Sequence, residues 1–211
     1  MEKASFNDLE VKIVDTFNVE LGLDPLRNEV EVALEMREIN IDKAIEQLKI
    51  LSDKGSAVSA HALADIFAFG HYQVDKDHAK AMQYFSRAKG LGSIEARYRL
   101  GRYHEFRGEC NEALIELTSL AESGFAPASF LLGDLFQKGR PFGLDVERAM
   151  YFFDLAASQG HLLGRQWVGH LTRKRGGITN FIKGTVIILK TIRPIIKISK
   201  INPNDNSIRT W

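Results

Sequence analysis

Two segments decide how this chain folds: residues 128–139 read ASFLLGDLFQKG, and residues 147–160 read ERAMYFFDLAASQG. In both segments apolar residues recur every three or four positions, which is typical of a helix that buries one face. Each segment closes on a glycine, Gly139 or Gly160, the residue that best adopts the left-handed conformation that ends a helix. We therefore predict two consecutive helices that are joined by a loop.

The same helix pair recurs along the chain. In the second helix, an alanine is followed eleven residues later by a glycine at four places, which begin at Ala44, Ala81, Ala113 and Ala149. In the first helix, a recurring pair of residues reads Leu63-Ala64, Leu100-Gly101, Leu132-Gly133 and Val168-Gly169. Both series have spacings of 37, 32 and 36 residues, so the two helices belong to one repeating unit. Such a period predicts a helical solenoid, and a glycine retained inside a helix predicts close contact with a neighbouring helix.

These units resemble the Sel1-like repeat family, a branch of the tetratricopeptide-like α-solenoids. The resemblance covers about 57–177 and is weaker in a degenerate unit before it. It implies an all-α fold, a superhelix of antiparallel helix pairs in which the first helices line a concave face. It also implies a non-enzymatic adaptor or scaffold that binds a partner protein through that face.

We expect three regions in the chain. Residues 1–24 are predicted to form an N-terminal capping helix, residues 25–177 the solenoid, and residues 178–211 a basic amphipathic tail. Within the solenoid, the expected boundaries of the units are 25–56, 57–93, 94–125 and 126–161, with a half unit at 162–177.

The partner-binding residues are expected at first-helix positions that the repeat pattern leaves free. These residues are His61, Asp65, Arg97, Arg99, Arg102, Asp134, Gln137 and Arg165. The three arginines of the unit at 94–125 make it basic, and the arginine fork suits carboxylates on a partner chain. The alternative interpretation is a solvated helix face with ion pairs between neighbouring turns.

No motif in the sequence predicts catalysis, a cofactor or a metal site. His104-Glu105 lacks the second histidine of the zinc-protease motif, because position 108 is Gly108. Neither a Gly-x-Ser-x-Gly elbow nor a phosphate-binding glycine-rich loop is present. Cys110 is the only cysteine, which excludes an internal disulfide and a multi-thiolate metal site within one chain. We expect no enzyme activity, no cofactor and no bound metal.

Charge is distributed unevenly along the chain. Residues 173–211 carry nine Lys or Arg and one acidic residue, Asp205, a formal charge of +8. Since the whole chain carries +1, the first 172 residues carry −7. This asymmetry indicates an anionic surface as a partner of the tail. Nucleic acid is disfavoured, because the body is acidic and the basic residues lack interleaved aromatic residues.

The tail combines isoleucines with cations. On a helical wheel one side is apolar, and another carries Lys183, Lys190, Arg193, Lys197 and Lys200. Three roles remain open for the tail. The first is capping the last repeat, and the second is attaching the protein to an anionic membrane as a peripheral member of an envelope, polysaccharide or secretion assembly. The third role is pairing with a partner helix or with a second copy of the chain in a homo-oligomer. The longest uncharged stretch, residues 184–189, is too short to span a bilayer. With no apolar signal segment at the start, the expected location is the cytoplasm, either free or on the inner face of a membrane.

Overall fold

The computed structural model describes residues 16–139, 143–202 and 205–208. Every regular element in these ranges is helical, so the all-α solenoid predicted from the sequence is confirmed. The α-helices are α1 Thr16–Leu23, α2 Arg27–Glu35, α3 Ile41–Asp53, α4 Ala57–Phe69, α5 His78–Gly90, α6 Ile94–Arg107, α7 Cys110–Glu122, α8 Ala126–Lys138, α9 Val146–Ser158, α10 Leu162–Lys174 and α11 Ile178–Ile201. Short 3-10 turns occupy Met36–Glu38 and His71–Gln73.

The helices are arranged as consecutive pairs. Helices α4 and α5, α6 and α7, α8 and α9, and α10 and α11 pack most extensively within each pair. We call the even-numbered members, α2 to α10, the first helices, and the odd-numbered members, α3 to α11, the second helices. First helices α4 and α8 are buried along almost their whole length, whereas second helices α5 and α9 bury one stripe. The first helices therefore form the inner layer of the solenoid.

Local sequence sets the ends of these helices. Ser56 and Ser93 cap α4 and α6, where their hydroxyls accept the backbone N–H of the residue three positions later. The four glycines that follow the second helices have left-handed backbones, with φ of 100° at Gly55, 90° at Gly92, 94° at Gly124 and 94° at Gly160. The prediction that these glycines end the second helices is confirmed.

The core follows the repeat as well. Four positions after each repeated alanine stands a large apolar side chain with no solvent exposure: Leu48, Phe85, Leu117 and Phe153. Full burial of such a side chain stabilises the fold by about 1.5–3 kcal/mol. A methyl group on Gly101 would lie 2.9 Å from Leu117, and one on Gly133 would lie 2.7 Å from Phe153. The close helix contact predicted at these two glycines is confirmed.

At the N-terminal end, α1 lies against α2, α4 and α6. Glu20 of α1 accepts hydrogen bonds from the Ser93 hydroxyl at 2.6 Å and from the Glu95 backbone N–H at 2.9 Å, so it caps the start of α6. The predicted N-terminal cap is described only from residue 16 onward, and residues 1–15 lie outside the described residues.

At the C-terminal end, α11 packs along α10 and forms a helix pair with it. The sequence division had assigned α10 to a half unit and α11 to a separate tail. A methyl group on Gly169 would lie 2.8 Å from the Gly184 carbonyl oxygen, so the two backbones cross in close contact. Beyond α11 the chain turns back, and Ile208 packs with Leu162 and Ile198. The last helix pair, α10 and α11, is therefore closed by residues of the predicted tail.

Candidate protein-interaction surface

The surroundings of α6 define which sides of a first helix are occupied. Gly101 faces α7 of the same pair, the Tyr103 ring contacts Phe85 of the preceding pair, and Tyr98 contacts Phe125 beside the following pair. Around the helix, the remaining side lies opposite α7, and we call this side the inner face. Its residues recur at helical spacing and are Glu95, Arg99, Arg102 and Phe106.

One polar residue per repeat forms a row on the inner face. It directly follows the recurring Leu-Gly pair, and it is Asp65, Arg102, Asp134 or His170 in successive units. All four side chains are half-buried, and the formal charge alternates along the first three. Sequence reasoning found the first three and missed His170, which the same offset from Val168-Gly169 would have identified. Burial, together with Arg173 and Lys174, lowers the pKa of His170.

A cluster of charged residues joins α4 to α6 at this row. Asp65 Oδ2 lies 3.4 Å from His61 Nε2 and 4.0 Å from Arg99 Nε. Arg99 Nε also lies 3.2 Å from a carboxylate oxygen of Glu95, which is only 1% exposed. Burial alone would raise the pKa of Asp65, but the nearby His61 and Arg99 lower it overall, so Asp65 is ionised at neutral pH. His61 is 2% exposed and influences the surface through Asp65.

Two buried polar atoms of the inner row lack a hydrogen bond within the described residues. Asp65 Oδ1 and Arg102 Nη1 are buried, and the described residues supply no hydrogen-bond partner for either atom. A buried polar atom without a partner costs about 1–3 kcal/mol, and native structures contain few of them. Because both atoms are shielded from solvent, a donor or acceptor from outside the chain reaches them only if neighbouring side chains move.

Two of the predicted site residues face second helices, Arg97 that of its own pair and Arg165 that of the preceding pair. Arg97 Nη2 donates to the Ser119 hydroxyl of α7 at 2.9 Å, and Arg97 Nε lies 3.6 Å from Glu116. Arg165 occupies the equivalent position two units later, where its Nη2 lies 3.5 Å from the Ala157 carbonyl of α9. The structure thus separates Arg97 and Arg165 from Arg99 and Arg102, although all four lie on first helices.

The remaining predicted residues lie in two places. Asp134 Oδ2 accepts from Lys138 Nζ at 2.6 Å, and half-buried Gln137 lies one turn further along α8. The five cations predicted in the tail are all exposed on α11. One of them, Lys190, lines a groove between α9, α10 and α11 together with Arg165 and Asp154.

Within the described ranges, no group of three or more His, Cys, Asp or Glu is arranged to hold a metal ion. Among the described helices, none combines the length and apolar character that crossing a membrane requires.

Comparisons with known proteins agree with this architecture. The Sel1 repeat family model matches residues 57–93, 94–111 and 126–161. A protective antigen present in uropathogenic Escherichia coli strains, which displays an SLR fold, is similar with a TM-score of 0.60 and 16% identity over 84% of this chain and 47% of that one. A Sel1 repeat protein from Oxalobacter formigenes is similar with a TM-score of 0.63 and 19% identity over 82% of this chain and 74% of that one. A search of curated proteins gave no match.

The helix pairs and their inner layer define an α-solenoid of the tetratricopeptide-like class. Within that class, the chain carries three Sel1 repeats, as the resemblance predicted. Sel1-repeat solenoids generally act as non-catalytic scaffolds for protein–protein interaction. The chain spans about half the length of the E. coli antigen, and at these identities the two solved structures are evidence for the fold alone.

Proposed function

We propose that this protein is a non-enzymatic adaptor that binds a partner protein on its inner face, which corresponds to the concave face expected from the resemblance. The observation that carries the proposal is the row of half-buried charged side chains Asp65, Arg102 and Asp134, whose formal charges alternate along the inner face. A partner carboxylate would satisfy Arg102, and a partner Lys, Arg or amide would satisfy Asp65.

The alternating charges of the inner row suggest what such a partner looks like. Neighbouring packed helices lie about 8–10 Å apart, so Asp65, Arg102 and Asp134 should follow one another at about that interval. A polyproline II segment advances about 3.1 Å per residue with three residues per turn, so every third residue of such a partner would face the row. The best complement is therefore a segment with a basic, an acidic and a basic residue at that spacing.

Charge reversal at the centre of the row tests the proposal. The partner is first identified by capture on the full-length protein, and its affinity is then measured with the Arg102→Glu variant. A hydrogen bond to a charged group contributes about 1.5–3 kcal/mol, so we expect binding to weaken by at least about 10-fold. The matched control is Lys49→Glu, which reverses an exposed charge on α3, away from the inner row. Equal affinity of the wild type and a folded Arg102→Glu variant would show that the partner binds elsewhere.

A further inference from the structure

Helix α11 exposes a continuous stripe of apolar side chains on the part of its surface that is not packed against α10. We call these residues the apolar stripe: Ile178, Phe181, Ile182, Val186, Leu189, Ile192 and Ile196, with exposures of 39–79%. They recur every three or four residues, and at 1.5 Å per residue the stripe runs for about 27 Å along the helix. Contiguous exposed apolar surface of this kind marks an interaction site, whereas single exposed apolar residues need no explanation.

Positive charge borders the apolar stripe. Lys183, Lys190 and Lys197 recur every seven residues along one edge, and Arg193 and Lys200 lie on the same side. Residues 178–201 contain no acidic residue, so α11 carries a formal charge of +5. Near the start of the helix, the guanidinium of Arg173 lies 4.7 Å from the centre of the Phe181 ring and extends the positive charge there.

We propose that α11 docks the protein onto an anionic lipid surface, and that the helix lies in the plane of the membrane interface. The apolar stripe would enter the boundary between headgroups and acyl chains, and the cations beside it would reach the anionic headgroups with their flexible stems. An apolar face bordered by Lys and Arg is the pattern that such interfacial helices share.

Charge argues for lipid over a second copy of this chain. Pairing two α11 helices would bring five cations against five more, with no acidic residue on either helix to offset the repulsion. The rest of the molecule also orients the contact, because the first 172 residues carry −7 and would be repelled by the same anionic surface. Docking uses a second helix at the C-terminal end of the solenoid, so the inner row stays accessible. The inference therefore stands independently of the adaptor proposal.

Flotation of the full-length protein with vesicles tests the docking. Vesicles of phosphatidylcholine alone are compared with vesicles that also contain phosphatidylglycerol, at about 0.1 M and about 1 M salt, where the screening length falls from about 10 Å to about 3 Å. We expect the protein to float only with the anionic vesicles and to be released at high salt.

Two triple variants assign the contact to α11. In Lys183→Ala/Lys190→Ala/Lys197→Ala we expect affinity to fall about 100-fold, since each cation near an anionic surface contributes about fivefold. In Ile182→Ser/Leu189→Ser/Ile196→Ser the interfacial face is removed, and we expect flotation to be lost. The matched control is Ile39→Ser/Ile115→Ser/Leu144→Ser, which changes three apolar residues outside α11 that are exposed by 87%, 68% and 69%, and it should float like the wild type.

Several outcomes would overturn the inference. They are failure of the wild type to float with anionic vesicles at low salt, equal flotation with neutral vesicles, unchanged binding of the lysine variant, or loss of binding in the control variant. An acidic protein as the true occupant of the stripe would give the first of these results. Each variant is checked for native circular dichroism, and if one unfolds, the lipid and salt dependence of the wild type decides the question alone.

Discussion

Replacing Gly184 with alanine tests how closely α11 packs against α10. A Cβ atom at this position would lie 2.5 Å from Arg173 Cγ and 2.9 Å from the Arg173 backbone nitrogen, and it would also meet the Gly169 carbonyl oxygen. Non-bonded heavy atoms normally approach to about 3.5–4.0 Å. Two of these three contacts are to the backbone of α10, which side-chain rotation cannot relieve. The helices would have to separate.

The size of the effect follows from two opposing contributions. Overpacking a well-packed site costs about 1–3 kcal/mol, and backbone contacts place this site near the upper end. Alanine in place of glycine in a helix regains about 1 kcal/mol. The free energy of unfolding should therefore fall by about 2 kcal/mol, and in a domain of this size the melting temperature should fall by about 4–8 °C.

Thermal unfolding followed by far-ultraviolet circular dichroism measures the change. The matched control is Gly90→Ala, also at a helical glycine, in α5, where a Cβ atom would have no neighbour within 4 Å. This control should raise the melting temperature slightly, by up to about 4 °C, because only the helix-propensity gain remains. If Gly184→Ala melts at or above the wild-type temperature while the control behaves as expected, α11 does not cross α10 at this distance.

Two further predictions concern the core and the charged cluster. Phe153→Ala removes a side chain with no solvent exposure and should lower the free energy of unfolding, measured by urea titration, by about 3–5 kcal/mol. The control Tyr151→Ala, at a position that is 62% exposed, should change this free energy by less than about 0.5 kcal/mol. Similar losses in the two variants would mean that the two residues are equally buried. The pKa of Asp65 lies below its ordinary value of 3.8, so the ionised carboxylate stabilises the fold above that pH, and this contribution is lost as pH falls through the lower folded pKa. Asp65→Asn should therefore lower the free energy of unfolding at pH 7, and the variant and the wild type should become equally stable in strongly acidic solution. A stability difference that grows as the pH falls would contradict the role given to the ionised Asp65.

The sequence was sufficient to predict the fold because the repeat encodes both the ends of the helices and their contacts. Gly92 and Gly160 end helices because the left-handed backbone favours glycine. Gly101 and Gly133 lie where Leu117 and Phe153 leave no room for a side chain. These positions are constrained by local geometry, and a period in the sequence reveals them directly.

Which of the proposed site residues share the inner face was harder to predict, because the repeat pattern does not say which side of a first helix remains open. Arg97 and Arg102 are both polar positions of α6, but only Arg97 faces α7, where its Nη2 donates to the Ser119 hydroxyl and its Nε lies 3.6 Å from Glu116. The distinction follows from the helical positions of these residues relative to Gly101, once the structure shows that this glycine faces α7. His170 was missed, although it directly follows Val168-Gly169 just as Arg102 follows Leu100-Gly101.

The tail shows why a helical wheel alone left three roles open. The wheel of α11 separates apolar residues from cations, but the structure has three surfaces: one packed, one apolar and exposed, and one basic. Gly184 and Thr191 lie on the packed surface. Because one is small and the other is polar, a hydrophobic pattern does not identify them as part of a buried face. Capping and membrane contact are therefore compatible, because they use different sides of the same helix.

This division of α11 separates the two proposed activities experimentally. The lysine triple variant changes only exposed side chains of α11, so it should lose lipid affinity and keep its partner. Arg102→Glu changes the inner row, so it should lose the partner and keep its lipid affinity. If either variant lost both activities while remaining folded, the partner and the lipid would share one surface, and the assignment of the inner row and α11 to different ligands would be wrong. A partner that binds more tightly in the presence of anionic vesicles would instead indicate that docking and partner binding are coupled through the solenoid.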